Sequence, residues 1–272
     1  MNPLNCAQIY RLSLIANFCA EKTKKLNVKS ILVADNRSEL LATLEPILKH
    51  WGYRVLSARK TEQVMAFLQE SSPCLLIIGE ALFADRGLVL SQETKQRISA
   101  GELPVIALKQ ESEEIPEMTP NETLEVPVEL FDLYSFIQCH VERHPRQNLR
   151  LRLRLPGMYR IGDNKFILAD VLNLSMHGLF FKAPTRVKAG DRVTVVFPLF
   201  GHCKEIEIKA TVLYTIQPEV ENNFFQGFGV GFDPLSDDHK GHLHKFIREH
   251  FLREVSSSHN GVGDFAEAQL KG

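Results

Sequence analysis

The spacing of apolar and polar residues changes character near residues 143–145 and divides the chain into two parts. From residue 30 onward, apolar runs such as SILVAD and CLLIIG alternate with segments such as RSELLATLEPILKHWG, whose apolar residues recur at helical spacing. Buried strands that alternate with helices are typical of a parallel sheet covered on both faces. The first part therefore predicts a doubly wound α/β domain.

The second part predicts an antiparallel β-barrel closed by a helix. Its runs LRLRLRL, FILADVLNLS, DRVTVVFPLF and KEIEIKATVLYTI are strand-like, closely spaced and separated by Pro and Gly. Ile206 and Ile208 alternate with charged residues, so we expect both to point inward. Ser236 is a candidate cap for a final helix, with Asp237 and Asp238 in its first turn.

These patterns predict four segments along the chain. We place the α/β domain at residues 29–143, the barrel at 144–255 and a disordered polar tail at 256–272. Residues 1–28 are amphipathic, but Arg11 interrupts their apolar stretch and no clear cleavage site follows. We therefore favour a helix that packs on the body or on a partner over a signal peptide; the segment could also precede the native start.

Charge is unevenly distributed although the net charge of the chain is only −1. Residues 28–140 contain ten basic and seventeen acidic side chains, whereas residues 141–255 contain seventeen basic and thirteen acidic ones. An anionic ligand is therefore expected in the second part. The five cysteines are scattered without a C-x-x-C pair, which predicts reduced cytoplasmic thiols. No apolar run approaches the ~18–20 residues that cross a bilayer, so no membrane insertion is expected.

The α/β domain resembles the receiver domain of two-component response regulators but lacks its functional residues. Receivers follow their first strand with two acidic residues, whereas this chain has Asp35 and then Asn36. The phosphoaccepting aspartate is replaced by Gly79, the usual Thr or Ser by Lys109, and the usual Lys before proline by Val126. Magnesium binding and phosphoryl transfer need the missing carboxylates. We therefore predict a scaffold or dimerisation module that is not phosphorylated by the usual route.

The segment HPRQNLRLRLRLPG at residues 144–157 contains two arginine patterns. Arg150, Arg152 and Arg154 alternate with leucines, so they share one face of a strand, and we interpret Arg152 and Arg154 as a solvated outer face. Arg146 precedes the strand and needs another reason. An extended loop that brings Arg146 near Arg150 would make a site with two guanidinium groups.

A second motif, NLSMHG, follows about two dozen residues later. Asn173 and Ser175 share a strand face, and Gly178 permits a turn or a close backbone approach. R-x-x-x-R followed by [DN]-x-S-x-x-G is the signature of the PilZ domain, which residues 145–255 resemble. Each motif alone is weak, but their order on an all-β background is specific.

The PilZ resemblance implies a bacterial receptor for cyclic di-GMP, folded as a six-stranded barrel. Arginine presents a planar fork that pairs with phosphate or with a guanine edge and stacks on purines. By the family pattern, Arg146 and Arg150 would grip guanine edges and phosphate. Asn173 and Ser175 would hydrogen-bond the opposite guanine or phosphate, and Gly178 would clear space.

Two residues qualify this expectation. Arg143 could add a stacking contact, although it lies outside the motif. Asn173 stands where aspartate is also common in the family, and because an ionised carboxylate only accepts hydrogen bonds, it suits guanine N–H donors better than an amide does. We therefore expect Asn173 to lower the affinity rather than abolish binding.

The expected function is a cytoplasmic effector that binds cyclic di-GMP and relays it by conformational change to a partner protein in motility, pilus or surface-polysaccharide control. No catalytic residue, metal site or cofactor is expected, and a homodimer is left open. One alternative is a PilZ-like protein-interaction scaffold that binds no nucleotide. A DNA-binding regulator is a weaker alternative, because the basic second part lacks a helix-turn-helix pattern.

Overall fold

The computed structural model describes residues 28–110, 120–184, 187–199, 204–258 and 270. The predicted N-terminal segment, apart from Val28, and most of the predicted tail lie outside the described residues. The chain divides into two compact units. Among the described residues, the first unit contains those up to Leu149 and those from Phe251 onward, and the second unit contains Arg150–His250.

The first unit is a five-stranded parallel sheet flanked by helices, in the strand order β2-β1-β3-β4-β5. This order is of the doubly wound type, which confirms the predicted fold class. Its strands are β1 (Ser30–Ala34), β2 (Arg54–Ala58), β3 (Leu75–Gly79), β4 (Val105–Lys109) and β5 (Glu122–Glu125). Its helices are α1 (Ser38–His50), α2 (Thr61–Glu70), α3 (Glu80–Phe83), α4 (Gln92–Ser99) and α5 (Leu130–Val141).

Apolar runs form the central strands because both faces of the sheet are covered. Every residue of β3 is buried, and so are the last four residues of β1. Helices α3 and α4 had no counterpart among the predicted helices. Thr94 is the one buried residue of α4, so the helix has no apolar stripe. Its local signal is the cap, since the Ser91 hydroxyl accepts a hydrogen bond from the Thr94 N–H at 3.1 Å.

The second unit is a closed antiparallel barrel in the order β10-β11-β8-β7-β6-β9, followed by a helix. The six strands confirm the expected architecture. They are β6 (Leu151–Ile161), β7 (Ile167–Ser175), β8 (Gly178–Lys182), β9 (Arg192–Leu199), β10 (Lys204–Ile216) and β11 (Gly227–Phe232). The last helix is α6 (Asp237–Ser258).

Aromatic rings fill the interior of the barrel. Tyr159 and Phe228 meet edge to face with ring centroids 4.8 Å apart, and Phe181 lies 5.6 Å from Phe228. All three side chains are fully buried. Ile206 and Ile208 also point inward, as their alternation predicted. These side chains thus point into the core, as alternate residues of barrel strands do.

The ends of α6 follow from its sequence. The Ser236 hydroxyl accepts a hydrogen bond from the His239 N–H at 3.2 Å, which confirms the predicted cap. The helix continues to Ser258, and Phe251 packs in the first unit with its ring 5.8 Å from that of Trp51. None of the helices in the described residues combines the length and the apolar character that crossing a membrane requires.

Candidate functional site

The residues that replace the receiver's functional groups lie at the carboxyl edge of the parallel sheet. Asp35 follows β1, Gly79 ends β3, Lys109 ends β4 and Val126 follows β5. Neighbouring parallel strands end at the same edge, so these positions are brought together there. Asp35 is almost completely buried, with 1% of its side chain exposed.

A guanidinium group neutralises the buried carboxylate of Asp35. Arg37 Nε donates to Asp35 Oδ1 at 2.8 Å, and Nη2 donates to Oδ2 at 2.7 Å. The backbone N–H of Arg37 also donates to Oδ1 at 2.8 Å, while Nη1 donates to Gln110 Oε1 at 3.0 Å. The hydrogen bond to Asp35 raises the pKa of Arg37 above its ordinary value. Arg37 thus supplies the positive charge that a cation provides at an acidic site.

The Asp35–Arg37 pair also fills the space beside β3. A Cβ atom on Gly79 would overlap the Asp35 carboxylate. A side chain at position 79, where receivers carry the phosphoaccepting aspartate, is therefore incompatible with this position of Asp35. Gly79 was predicted to leave the domain without a phosphoaccepting nucleophile. It also leaves the space that the carboxylate of the Asp35–Arg37 ion pair occupies.

A polar network holds the segment that leads toward the motif arginines. The Tyr53 hydroxyl donates to Glu142 Oε1 at 3.0 Å, and Lys29 Nζ lies 2.8 Å from Glu142 Oε2. Gln138 Nε2 donates to the Tyr53 hydroxyl at 3.4 Å, and Gln138 Oε1 accepts from the Arg146 N–H at 3.0 Å. Burial, and then Glu142, raise the pKa of Tyr53, so the hydroxyl remains a donor. One hydrogen bond thus anchors the backbone of Arg146, while its side chain stays exposed.

The two motif arginines and the neighbouring Arg143 have exposed guanidinium groups. Arg143, Arg146 and Arg150 are exposed, and none of the three guanidinium groups has a hydrogen-bond or ion-pair partner within the described ranges. Arg154 and Arg160, in contrast, are in ion pairs. Arg154 Nη2 lies 2.9 Å from Asp170 Oδ2, and Arg160 Nη2 lies 3.3 Å from Glu207 Oε1. The guanidinium groups of Arg146 and Arg150 are therefore available for an anionic or guanine-bearing ligand.

Ser175 has a defined hydrogen-bond role at the β7–β8 turn. Its hydroxyl donates to the Gly178 carbonyl oxygen at 3.1 Å and accepts from the His177 N–H at 3.4 Å. A hydroxyl has one donor and two acceptor lone pairs, so only one acceptor position is left. Toward a ligand, Ser175 in this arrangement can accept a hydrogen bond from an N–H group but cannot donate one to phosphate.

Gly178 lies where two strands approach closely. It pairs with Gly231 across β8 and β11, and a Cβ atom on Gly178 would overlap the Val230 carbonyl oxygen. A larger residue would push these strands apart and displace the turn that carries Ser175. Gly178 is thus needed for the packing of the barrel strands themselves. Its predicted role in clearing space for a ligand stays a prediction.

Asn173 lies between two contrasting neighbours on the outer face of the barrel. It is directly opposite Arg152 on β6 and Phe180 on β8. Its side-chain amide makes no hydrogen bond to another residue that the structure describes. Phe180 was not among the residues predicted from the sequence. Consecutive phenylalanines in GLFFK face opposite sides of a strand, so one of them lies outside, and this is the sequence signal for Phe180.

The family model of the PilZ domain matches residues 143–249. These residues form a PilZ domain. The PilZ match contains all five motif positions predicted from the sequence, and it begins at Arg143. No curated protein sequence matches the chain.

Solved structures with similarity to the chain fall into two groups. The Bacillus subtilis inhibitor of motility MotI/DgrA aligns at 15% identity and a TM-score of 0.35, covering 40% of this chain and 52% of that one, so this chain spans about half of its length. The PilZ domain of Escherichia coli YcgR with c-di-GMP aligns at 16% identity and a TM-score of 0.34, covering 42% and 95%. The receiver domain of a putative Luxo repressor from Vibrio parahaemolyticus aligns at 16% identity and a TM-score of 0.35. The alignment covers 43% of this chain and 92% of that one.

Arg37→Ala is expected to lower the free energy of unfolding of the first unit by about 3 kcal/mol, because it leaves the buried Asp35 carboxylate without its partner. Urea denaturation followed by the fluorescence of Trp51, the one tryptophan of the chain and a residue of this unit, measures the change. The control is Arg59→Ala, an exposed position where about 0.5 kcal/mol or less is expected. Equal effects of the two substitutions would contradict the role given to the ion pair.

Treatment with acetyl phosphate is expected to leave no acid-labile phosphate on the chain, because Gly79 offers no nucleophile and Asp35 is held by Arg37. Intact-mass measurement before and after the treatment tests this directly. Phosphate that disappears in the Asp35→Asn variant would show that Asp35 reacts despite its ion pair.

Proposed function

We propose that the PilZ domain binds cyclic di-GMP through its two motifs and acts as a signalling effector. The supporting observation is that the motif is complete and that its arginine side chains are exposed without protein partners among the described residues. Exposed guanidinium groups that no protein acidic group neutralises suit a ligand with two phosphates and two guanines. The ligand-binding residues in this proposal are Arg146, Arg150, Asn173, Ser175 and Gly178, with Arg143 as a stacking contact.

Each side chain has a distinct part in the proposed complex. Arg146 and Arg150 pair with phosphate oxygens or with the O6 and N7 acceptors of guanine. Ser175 accepts a hydrogen bond from a guanine N–H, which is the role that its existing bond to Gly178 leaves open. Asn173 uses its amide oxygen in the same way, and its amide nitrogen can donate to a second acceptor.

The proposed activity is recognition without chemical transformation of the ligand. The residues assigned above are donors and acceptors, and none has the nucleophile and base arrangement that catalysis requires. We assign no metal or cofactor to the site. Consistent with the scattered cysteines, we place the protein in the cytoplasm.

The signal would pass through the segment that carries Arg146. Its backbone is tied to Gln138 and, through Glu142, to Tyr53 and Lys29. A ligand that binds the Arg146 side chain would restrain the backbone of residues 142–150, and a partner protein would bind this restrained conformation selectively. The proposed outputs are motility, pili or surface polysaccharide, and a homodimer is a further form that the effector could take.

A protein-interaction scaffold is the second candidate, and exposed apolar side chains on the second unit favour it. Val220 and Phe224 are 76% and 65% exposed, and Phe224 has a positive φ of 57° in the loop before β11. Bulky residues rarely adopt a positive φ, so this backbone conformation costs the loop free energy. The loop also leaves the apolar ring of Phe224 exposed to water. A scaffold, however, has no need of Arg146 and Arg150.

Titration calorimetry of cyclic di-GMP into the full chain is expected to give saturable binding. Arg146→Ala and Arg150→Ala are each expected to weaken it by about tenfold or more, because each removes a fork that pairs with the ligand. Arg154→Ala, whose guanidinium is paired with Asp170, is the matched control and is expected to change little. Cyclic di-AMP is expected to bind more weakly, since adenine presents a donor where guanine presents O6. Absence of heat with the wild-type chain would favour the scaffold.

Hydrogen exchange tests the proposed relay. Saturating cyclic di-GMP is expected to slow amide exchange in peptides that cover residues 142–150, and peptides from α4 provide an internal reference. Arg150→Ala at the same ligand concentration is expected to show less protection. Unchanged exchange in 142–150, at a ligand concentration where calorimetry shows the site filled, would mean that the signal leaves by another route.

A further inference from the structure

The outer face of the barrel carries a continuous cross-strand row on either side of Asn173. The directly opposite pairs Arg152–Asn173, Asn173–Phe180, Phe180–Gly229 and Gly229–Tyr214 follow one another across β6, β7, β8, β11 and β10. Directly opposite residues of antiparallel strands place their side chains on the same face of the sheet. We call these five residues the outer row. Asn173, a motif residue, thus has a cation on one side and aromatic rings on the other.

The aromatic end of the outer row is tightly packed. The Phe180 ring stacks on Phe225 with centroids 5.7 Å apart and an interplanar angle of 11°, and on Tyr214 at 6.2 Å and 23°. A Cβ atom on Gly229 would overlap the Tyr214 ring, so the glycine allows that ring to lie over the strand. Phe180 is only 5% exposed although it faces outward, because the neighbouring rings cover it. This end is therefore a closely packed apolar border of the outer row.

The cationic end of the outer row is free to bind. Arg152 is exposed, and its guanidinium has no hydrogen-bond or ion-pair partner in the portions of the chain that the structure describes. Arg154 is also exposed, but its Nε and Nη2 both donate to Asp170 Oδ2, at 3.2 and 2.9 Å. Arg152 is in regular register with β7, whereas Arg154 lies within an irregularity of the β6–β7 register between Arg152 and Leu155. Two arginines with the same local sequence pattern therefore have different availability.

We propose that Arg152 is a further ligand-binding residue, which pairs with a phosphate or with the O6 and N7 edge of the guanine that Asn173 holds. The inference rests on the proposed function, since it concerns the same ligand, and it adds a residue that lies outside both motifs. A guanidinium beside an amide supplies donors to guanine acceptors while Asn173 and Ser175 face its N–H groups. The stacked rings around Phe180 would bound the position of the base on the side of Asn173 away from Arg152.

Calorimetry of cyclic di-GMP into full-length Arg152→Ala, Arg152→Lys and Arg154→Ala variants tests the proposal. Arg152→Ala is expected to weaken binding by about tenfold, because a paired guanidinium fork is lost. Arg152→Lys is expected to recover only part of this loss, since an ammonium keeps the charge but not the fork. Arg154→Ala removes the same charge two residues away and is expected to leave the affinity unchanged.

The outcomes separate this inference from the proposed function. Wild-type binding with an affinity unaltered in Arg152→Ala overturns the role of Arg152 and leaves the function standing. Equal losses in the Arg152→Ala and Arg154→Ala variants also overturn it, because they indicate a general effect of charge. No binding by the wild-type chain overturns both. Thermal midpoints without ligand, expected to match the wild type for all three variants, exclude a loss of fold as the cause.

Discussion

The closure of the second unit into a barrel is the constraint on which the candidate site depends. Because every strand must turn alternate residues toward one small interior, Phe181 enters the aromatic core with Tyr159 while its neighbour Phe180 is placed outside. Closure also leaves no free edge, so the outward residues of successive strands form continuous rows. Asn173 acquires its neighbours from this geometry and not from its own local sequence.

The hairpin that carries the second motif is equally restricted. Ser175 is bonded within the turn, and Gly178 approaches the backbone of β11 too closely for a side chain. These two residues therefore contribute to the barrel whether or not a ligand is present. Ser175 and Gly178 alone therefore discriminate poorly between a nucleotide-binding and a purely structural role. Arg146 and Arg150 discriminate better, because a guanidinium that is exposed and has no partner among the described residues adds little to stability.

Charge compensation is organised differently in the first unit. A receiver places its acidic residues around a cation, whereas here the carboxylate of Asp35 has a covalently attached counter-charge two residues away, in Arg37. A buried carboxylate is costly unless it is paired, and a bidentate guanidinium satisfies both of its oxygens. Gly79 complements the arrangement by leaving space. The edge of the sheet thus keeps the charged residue Asp35, and the charge is balanced by Arg37 of the same chain.

The sequence by itself determined the two fold classes, the inward isoleucines, the helix cap at Ser236 and the residues of both motifs, because periodicity and capping depend on near neighbours. It missed α4, which buries too little to leave an apolar stripe. Only the tertiary structure decided that Arg154 is paired while Arg152 has no partner among the described residues, since Asp170 is sixteen residues from Arg154 and strand register brings it near. It also decided the partners of Asn173. Register and closure depend on the whole sheet, and no short segment encodes them.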